Sequence, residues 1–145
     1  MFNVVQEQDK ANLSDLCQYG FVFNWTQNSS VKSITVAKIV NGDIAGLVEF
    51  ERQPENLCNY MWLIEVSDVY KGTGVAGSLL AYVGRDAIQA GFDGFVVFET
   101  KTALYDYYRN KYGAKPIDGR KLFFDATATK ALIEKYLGGN FDDNK

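Results

Sequence analysis

A glycine-rich stretch, residues 71–77, contains the residues best suited to chemistry in this sequence. It reads KGTGVAG and follows a short apolar run that ends at Val66. Apolar residues then recur at three- and four-residue spacing over residues 75–90, which predicts a helix, and Gly91 stands where a C-cap belongs. Backbone N–H groups at a helix N-terminus attract anions, and glycines let a ligand approach the backbone. The stretch therefore predicts an anion site.

Three kinds of phosphate loop are compared with this stretch. A Walker loop requires GxxxxGK[ST], and Ser78 stands where its lysine must be. The dinucleotide fingerprint GxGxxG is matched literally by Gly72, Gly74 and Gly77. However, residues 67–71 separate the strand from the first glycine, and too little chain follows for the remaining parallel strands. Dinucleotide binding and a ligand-free turn stay open as alternatives to the third kind, described below.

Composition restricts the class of protein. The length of 145 residues predicts one domain over residues 1–138, followed by a polar, disordered tail over residues 139–145. The absence of histidine excludes Ser-His-Asp and Cys-His catalysis and most zinc sites, so we expect no metal. We expect Cys17 and Cys58 to be buried free thiols, which fits a reducing compartment. No signal peptide or membrane-spanning run is found, so a cytoplasmic protein without membrane contact is expected.

Charge is distributed unevenly along the chain. The net charge is −3. Residues 1–66 contain four basic and eight acidic side chains, whereas basic and acidic residues nearly balance thereafter. An acidic first half would suit a cationic acceptor and weighs against nucleic acid as a partner.

The elements before the glycine-rich stretch predict an antiparallel sheet. Residues 2–6 have the pattern of a first strand, and residues 9–20 that of a short amphipathic helix with Asp9 as N-cap. Residues 32–40 and 43–51 alternate apolar and polar side chains around Asn41-Gly42, which is typical of a hairpin with a type I′ turn. Residues 59–66 are the next predicted strand and pair with this hairpin.

The elements after the glycine-rich stretch complete a mixed α/β fold. Residues 94–100 predict a second buried strand, parallel to residues 60–66 through a right-handed crossover. A tyrosine-rich helix over residues 102–112, a hairpin over residues 114–124 and a helix over residues 126–137 follow.

Two segments resemble the GNAT superfamily of acyl-CoA N-acyltransferases. Residues 66–80 resemble its pyrophosphate signature [QR]-x-x-G-x-[GA], with Lys71 in place of Arg or Gln, then Gly74 and Ala76. The tyrosine-rich helix with Gly113-Ala114 resembles its second CoA segment, A-x-x-x-[FY]-Y-x-x-x-G-[FA]. One extra residue lies between Tyr108 and the glycine. The resemblance covers roughly residues 32–125.

The resemblance implies a GNAT-like fold. Its central sheet is mixed and mostly antiparallel, with one parallel pair of strands that splay apart and with helices on both faces. It also implies transfer of an acetyl group from acetyl-CoA to a primary amine by direct attack. A non-catalytic, regulatory domain that binds acyl-CoA is the alternative.

Site residues follow from the same resemblance. Tyr108 is the expected general acid, with Tyr107 second, and Glu65 is the expected base, with Asp68 and Glu99 near the same cleft. The acceptor is a small-molecule or protein amine, and a homodimer is a further expectation. The implied acetyl-CoA-binding residues are Ile64, Val66, Lys71, Gly72, Thr73, Gly74, Val75, Ala76, Gly77, Ser78, Thr100, Tyr107 and Tyr108.

Overall fold

Seven strands form a single sheet in the computed structural model, which describes residues 1–139 apart from the side chains of Ala11, Cys17 and Tyr19. The thiol of Cys17 and the expected tail from residue 140 onwards therefore lie outside the described residues. The strands are β1 (Phe2–Val5), β2 (Ile34–Val40), β3 (Asp43–Gln53), β4 (Cys58–Val66), β5 (Val96–Glu99), β6 (Lys115–Asp118) and β7 (Lys121–Phe124).

The strand order is β1-β2-β3-β4-β5-β7-β6. Every neighbouring pair is antiparallel except β4 and β5, which run parallel. The expected mixed sheet with one parallel pair is thus confirmed. Asn41 and Gly42 have φ angles of 52° and 82°, so the β2–β3 hairpin closes through the left-handed turn that their sequence predicts.

Helices cover both faces of the sheet. On one face lie α1 (Val75–Gln89), α2 (Thr102–Tyr112) and α3 (Ala126–Leu137), and the main core forms beneath α1 and α3 around Phe50, Leu79 and Phe124. The second and third helices match the predicted bounds. No helix within residues 1–139 combines the length and apolarity needed to cross a bilayer.

The opposite face is covered by a 3₁₀ helix, Glu7–Tyr19, and by residues 20–33. This helix starts two residues before the predicted N-cap, so Asp9 lies within its first turn. Leu13 and Leu16 are its buried apolar side chains, and their three-residue spacing suits the three residues per turn of a 3₁₀ helix. The predicted amphipathic helix is therefore present as a 3₁₀ helix.

A buried carboxylate fastens residues 20–33 to the sheet. Glu49 on β3 is fully buried and accepts hydrogen bonds from the Ser29 amide (2.5 Å), the Ser29 hydroxyl (3.0 Å) and the Ser33 hydroxyl (2.6 Å). A buried charge requires such donors, because an unpaired carboxylate would lose its hydration without compensation. This face is therefore held by polar contacts as well as by its small apolar cluster.

Helices α1 and α3 pack in close contact at two glycines of α1. A Cβ added to Gly84 would lie 2.5 Å from Cγ2 of Thr129, and one added to Gly77 would lie 2.3 Å from Cζ of Tyr136. The aromatic ring of α3 therefore occupies the space that a side chain at Gly77 would fill. This glycine, part of the glycine-rich stretch, has a packing role.

We expect Gly77→Ala to destabilise the protein by about 1–3 kcal/mol, because the new methyl group must displace the Tyr136 ring. In a Tyr136→Ala background the same substitution is expected to stabilise by up to about 1 kcal/mol, because alanine has the higher helix propensity. Urea unfolding of the four proteins measures both effects. An equal cost in both backgrounds would contradict the packing role.

Candidate active site

The two parallel strands separate partway along their length. β4 pairs with β5 at Asn59–Val96, Tyr60–Val97 and Met61–Phe98, and beyond Met61 the described residues give β4 no partner on that side. The separation coincides with a β-bulge. Glu49 of β3 pairs with Leu63 but Phe50 pairs with Met61, so Trp62 is an extra residue on β4.

The bulge changes which backbone groups face the gap. Below it, the Asn59 amide donates to the Phe95 carbonyl at 3.0 Å, so groups of odd-numbered residues point to β5. Above it, the Ser67 amide donates to the Ala45 carbonyl at 2.8 Å, so odd-numbered residues point to β3 instead. Because direction alternates along a strand, the N–H and C=O groups of Ile64 and Val66 face the gap.

A cleft of about 330 Å³ occupies this gap. The residues that line it belong to both strands and to the start of α2. Phe23, from the segment of residues 20–33 that covers the opposite face of the sheet, also lines it. Three expected site residues, Ile64, Thr100 and Tyr108, line it. The volume suits a slender ligand arm, since small-molecule sites are typically about 300–1,000 Å³.

Tyr108 is the titratable aromatic residue of the cleft. Its ring packs on Phe98 with centroids 5.0 Å apart. Burial, with a smaller contribution from Tyr107, raises the pKa of Tyr108 to about 12. The phenol therefore keeps its proton at any physiological pH.

The glycine-rich stretch links β4 to α1 and presents unpaired amides. Gly74 has φ 88° and provides no side-chain cap, and the Ser78 amide makes a hydrogen bond to the Gly74 carbonyl at 3.0 Å. In the described part of the chain, no hydrogen bond uses the amides of Gly72, Gly74, Val75, Ala76 or Gly77. Together with about half a positive charge from the helix dipole, these groups fit an anion.

Several polar side chains of this stretch already form bonds within the protein. Lys71 forms an ion pair with Asp68 at 2.8 Å, and the Thr73 hydroxyl donates to the Tyr70 carbonyl at 2.5 Å. Ser78 is buried and its hydroxyl donates to the Val75 carbonyl at 2.8 Å. Arg85, a candidate for extra positive charge, lies ten residues along α1 from Val75, roughly 15 Å away. It is buried near the rings of Phe2 and Tyr82, away from the glycines.

Tyr107 does not line the cleft. Hydrogen bonds from Tyr112 and Lys111 lower the pKa of its phenol. Its ring lies 5.8 Å from Tyr112, which lies 6.2 Å from Tyr136. Tyr136 contacts Gly77, so Tyr107 belongs to a chain of aromatic rings that leads to the glycine-rich stretch.

Glu65 is hydrogen bonded to residues 22–25, which lie beside the cleft. Its carboxylate accepts from the Val22 amide at 2.6 Å, the Phe23 amide at 3.2 Å and the Trp25 indole at 2.8 Å. Phe23 lines the cleft, so Glu65 positions a wall of the site. A base role for Glu65 stays a prediction, and these three donors compete with it. Glu99, which lines the cleft, forms an ion pair with Arg120 at 2.9 Å.

Three residues of the site were not among the predicted site residues. Trp62 makes the bulge, Phe23 lines the cleft, and Tyr136 packs against the glycine-rich stretch. Trp62 carries no local signal for a bulge. The other two meet the site through contacts between residues distant in sequence, so only the fold reveals them. Among residues 1–139, no group of three or more potential ligands could hold a metal ion.

Comparison with known proteins identifies the fold. No protein-family profile matches the chain, and no curated protein matches it in sequence. Several solved structures, however, match it in fold. A GNAT-family acetyltransferase from Staphylococcus aureus is 12% identical with a TM-score of 0.60, over 87% of this chain and 99% of that one. The ribosomal-protein-S18-alanine N-acetyltransferase from Escherichia coli is 17% identical with a TM-score of 0.59, over 85% and 90%.

A third match comes from the AtaT–AtaR complex bound to DNA. It is 14% identical with a TM-score of 0.66, over 92% of this chain and 99% of that one. Identities this low show a common architecture. They do not show that the proteins share ligands. The strand order, the single parallel pair and these matches together establish that the chain has the fold of the GNAT acetyltransferases.

Proposed function

We propose that this protein transfers an acetyl group from acetyl-CoA to a primary amine by direct attack. The observation that carries the proposal is the cleft between β4 and β5, where strand backbone without a partner, a protonated tyrosine and a nearby loop of free amides occur together. A thioester on a long polar arm needs these features: a slot, backbone partners for its amides and an anion site for its phosphates.

In this proposal the amides of Gly72 and of residues 74–77 bind the pyrophosphate, and the backbone of Ile64 holds the pantetheine arm. The N–H group of Val66, which faces the gap between β4 and β5, polarises the thioester carbonyl in the manner of an oxyanion hole. Fixed donors of this kind are effective because they need no reorganisation when negative charge develops. The side chains of Lys71 and Ser78 contribute little, since both are already bonded within the protein.

The acceptor amine must lose a proton before it attacks. An alkylamine with pKa near 10.4 is neutral in only about one molecule in a few thousand at pH 7. Glu65 was the expected base, but its carboxylate already accepts three hydrogen bonds. Glu99 lines the cleft and is partly exposed, so we propose that it takes the proton, directly or through water.

Tyr108 is proposed to stabilise the leaving sulfur. With its pKa raised to about 12, full proton transfer to a thiolate of pKa ~8.5 would cost about 5 kcal/mol. The phenol therefore acts mainly as a hydrogen-bond donor to the developing thiolate, and solvent completes protonation after the bond breaks. This role requires that the phenol stay protonated, which its burial ensures.

We expect Tyr108→Phe to lower kcat by about 10- to 100-fold, because one hydrogen bond to a developing charge is lost. The Kd for CoA should change less than about twofold, since ring and packing remain. With the phenol pKa at about 12, Tyr108 should cause no fall in kcat below about pH 11. Steady-state kinetics and calorimetry measure these effects. Tyr105→Phe, on the same helix but outside the cleft, is the control, and an equal loss there would contradict the assignment.

The two glutamates can be separated by the acceptor used. We expect Glu99→Gln to abolish turnover of an alkylamine but to spare a low-pKa amine that is already neutral at pH 7, because such an acceptor needs no base. Glu65→Gln should instead reduce stability by about 1–3 kcal/mol, because a polar contact with residues 22–25 is lost. If Glu65→Gln shows the acceptor-dependent loss, Glu65 is the base as first expected.

The function itself is tested by calorimetric titration with acetyl-CoA, CoA and NAD, followed by assays of thiol release with a panel of amines. The panel contains a polyamine, an aminoglycoside, a lysine peptide and an N-terminal alanyl peptide. We expect binding of CoA and acetyl-CoA, no binding of NAD, and thiol release with one class of amine. NAD binding without CoA binding would overturn the proposal.

A non-catalytic domain that binds acyl-CoA is the second candidate. The observation favouring it is that the Glu65 carboxylate, the expected base, already accepts three hydrogen bonds from residues 22–25. Binding of acetyl-CoA without thiol release for any amine, including the low-pKa one, would support this alternative.

A further inference from the structure

A second cavity opens beside the acyl cleft, on the face of the sheet opposite α1. Its volume is about 410 Å³, and Tyr60 of β4 lines it. The preceding residue, Asn59, donates to the Val83 carbonyl of α1 at 2.9 Å. Because side chains alternate along a strand, Tyr60 points to the other face. The cavity is therefore separate from the core beneath the helices.

Aromatic rings form one wall of this cavity. Tyr60 and Trp62 line it with their ring centroids 4.8 Å apart, and Val97 lines it as well. Trp62 is fixed in place, because its indole donates to Glu51 at 2.8 Å. A held pair of rings offers contact area to another planar ring, and the volume is within the range of about 300–1,000 Å³ that small-molecule sites have.

Lys121 gives the cavity its positive charge. Among the described residues that line the cavity, Lys121 alone is charged. None of the ion pairs found within residues 1–139 includes it, whereas its neighbour Arg120 is paired with Glu99 at 2.9 Å. An ammonium group without a carboxylate partner suits an anionic group on the ligand.

The cavity adjoins the acyl cleft in two places. Trp62 lines both. Glu99 of the cleft is directly opposite Lys121 in the β5–β7 pair, so their Cα atoms are about 4.5–5.5 Å apart and their side chains share a face. Burial and then the charge of Glu99 raise the pKa of Tyr60, so this carboxylate also acts on the ring wall. One small ligand can therefore contact the carboxylate of the cleft and the ammonium group of the cavity.

We infer that this cavity holds the acceptor and that the acceptor is an aromatic α-amino acid. Its ring packs on Tyr60 and Trp62. Its carboxylate binds Lys121, and its amine lies in the cleft beside Glu99. A single carbon joins the amine and the carboxylate of an α-amino acid, which matches two directly opposed side chains of opposite charge.

This inference rests on the proposed function and deepens it, because it names the class of amine. The reaction is the same acyl transfer. The amine nitrogen forms a bond to the acetyl carbon, and the C–S bond breaks. The proton of the amine leaves through Glu99 to solvent, and solvent protonates the thiolate.

The test compares L-phenylalanine with phenethylamine, which lacks only the carboxylate, in assays of thiol release from acetyl-CoA. Wild-type kcat/KM is expected to be about 10- to 100-fold higher for phenylalanine, the range of one or two charge-assisted contacts. Lys121→Ala should lower kcat/KM for phenylalanine about 10-fold and leave phenethylamine unchanged. Because both acceptors meet the same substitution, differences in their intrinsic reactivity cancel. The preference for phenylalanine should decrease as salt concentration rises.

The ring is tested with L-alanine, which keeps the amine and the carboxylate. We expect its kcat/KM to be about 10- to 100-fold below that of phenylalanine, because no ring is buried against Tyr60 and Trp62. Equal values for the two amino acids would overturn the assignment of the ring.

Lys130→Ala is the control, because Lys130 is exposed on α3 and lines neither the cavity nor the cleft. It should leave all acceptors unchanged. An equal loss of phenylalanine and phenethylamine in Lys121→Ala would overturn the inference and leave the proposed function standing. So would thiol release confined to amines without a carboxylate, or a carboxylate-dependent loss in Lys101→Ala, in the cleft, but not in Lys121→Ala. Binding of acetyl-CoA without thiol release for any amine would overturn both proposals.

Discussion

The site depends on the point at which β4 leaves β5. Strand backbone is a strong hydrogen-bonding surface, and a buried N–H or C=O without a partner is costly. Ile64 and Val66 direct these groups into the gap between β4 and β5, where water or an extended ligand can satisfy them. The extra residue at Trp62 produces this arrangement, because it shifts the alternation of the strand by one residue. Trp62 is held by its indole, which donates to Glu51 at 2.8 Å, and by its ring, 4.8 Å from Tyr60.

The sequence predicted the elements because their signals are local. Asn41-Gly42 specifies a turn through two left-handed residues, and glycines at the ends of α2 and α3 specify their C-caps. The parallel pairing of β4 and β5 followed from the helical crossover between them. In these cases neighbouring residues determine the outcome, so no knowledge of distant contacts is required.

What the sequence could not give depends on contacts between distant residues. Glu65 was the base expected from the sequence, whereas the three donors to its carboxylate come from residues 22–25, about forty positions earlier. Gly77 appeared to make room for a ligand, whereas Tyr136, about sixty positions later, fills that space. The same glycine pattern thus combines a left-handed backbone at Gly74 with helix packing at Gly77. A motif cannot separate the two roles, because both require only the absence of a Cβ.

The extra residue between Tyr108 and Gly113 shows how the structure decides an ambiguous alignment. Counting back from the glycine selects Arg109, whereas counting forward from the strand selects Tyr108. In the structure Tyr108 lines the cleft and packs on Phe98, while Arg109 is partly exposed and lies 3.7 Å from Asp106. The start of α2 is fixed by β5, and its end is fixed only by a C-cap that tolerates one residue more. Position relative to the strand therefore determines which side chain faces the cleft, and the additional residue is absorbed at the far end of the helix.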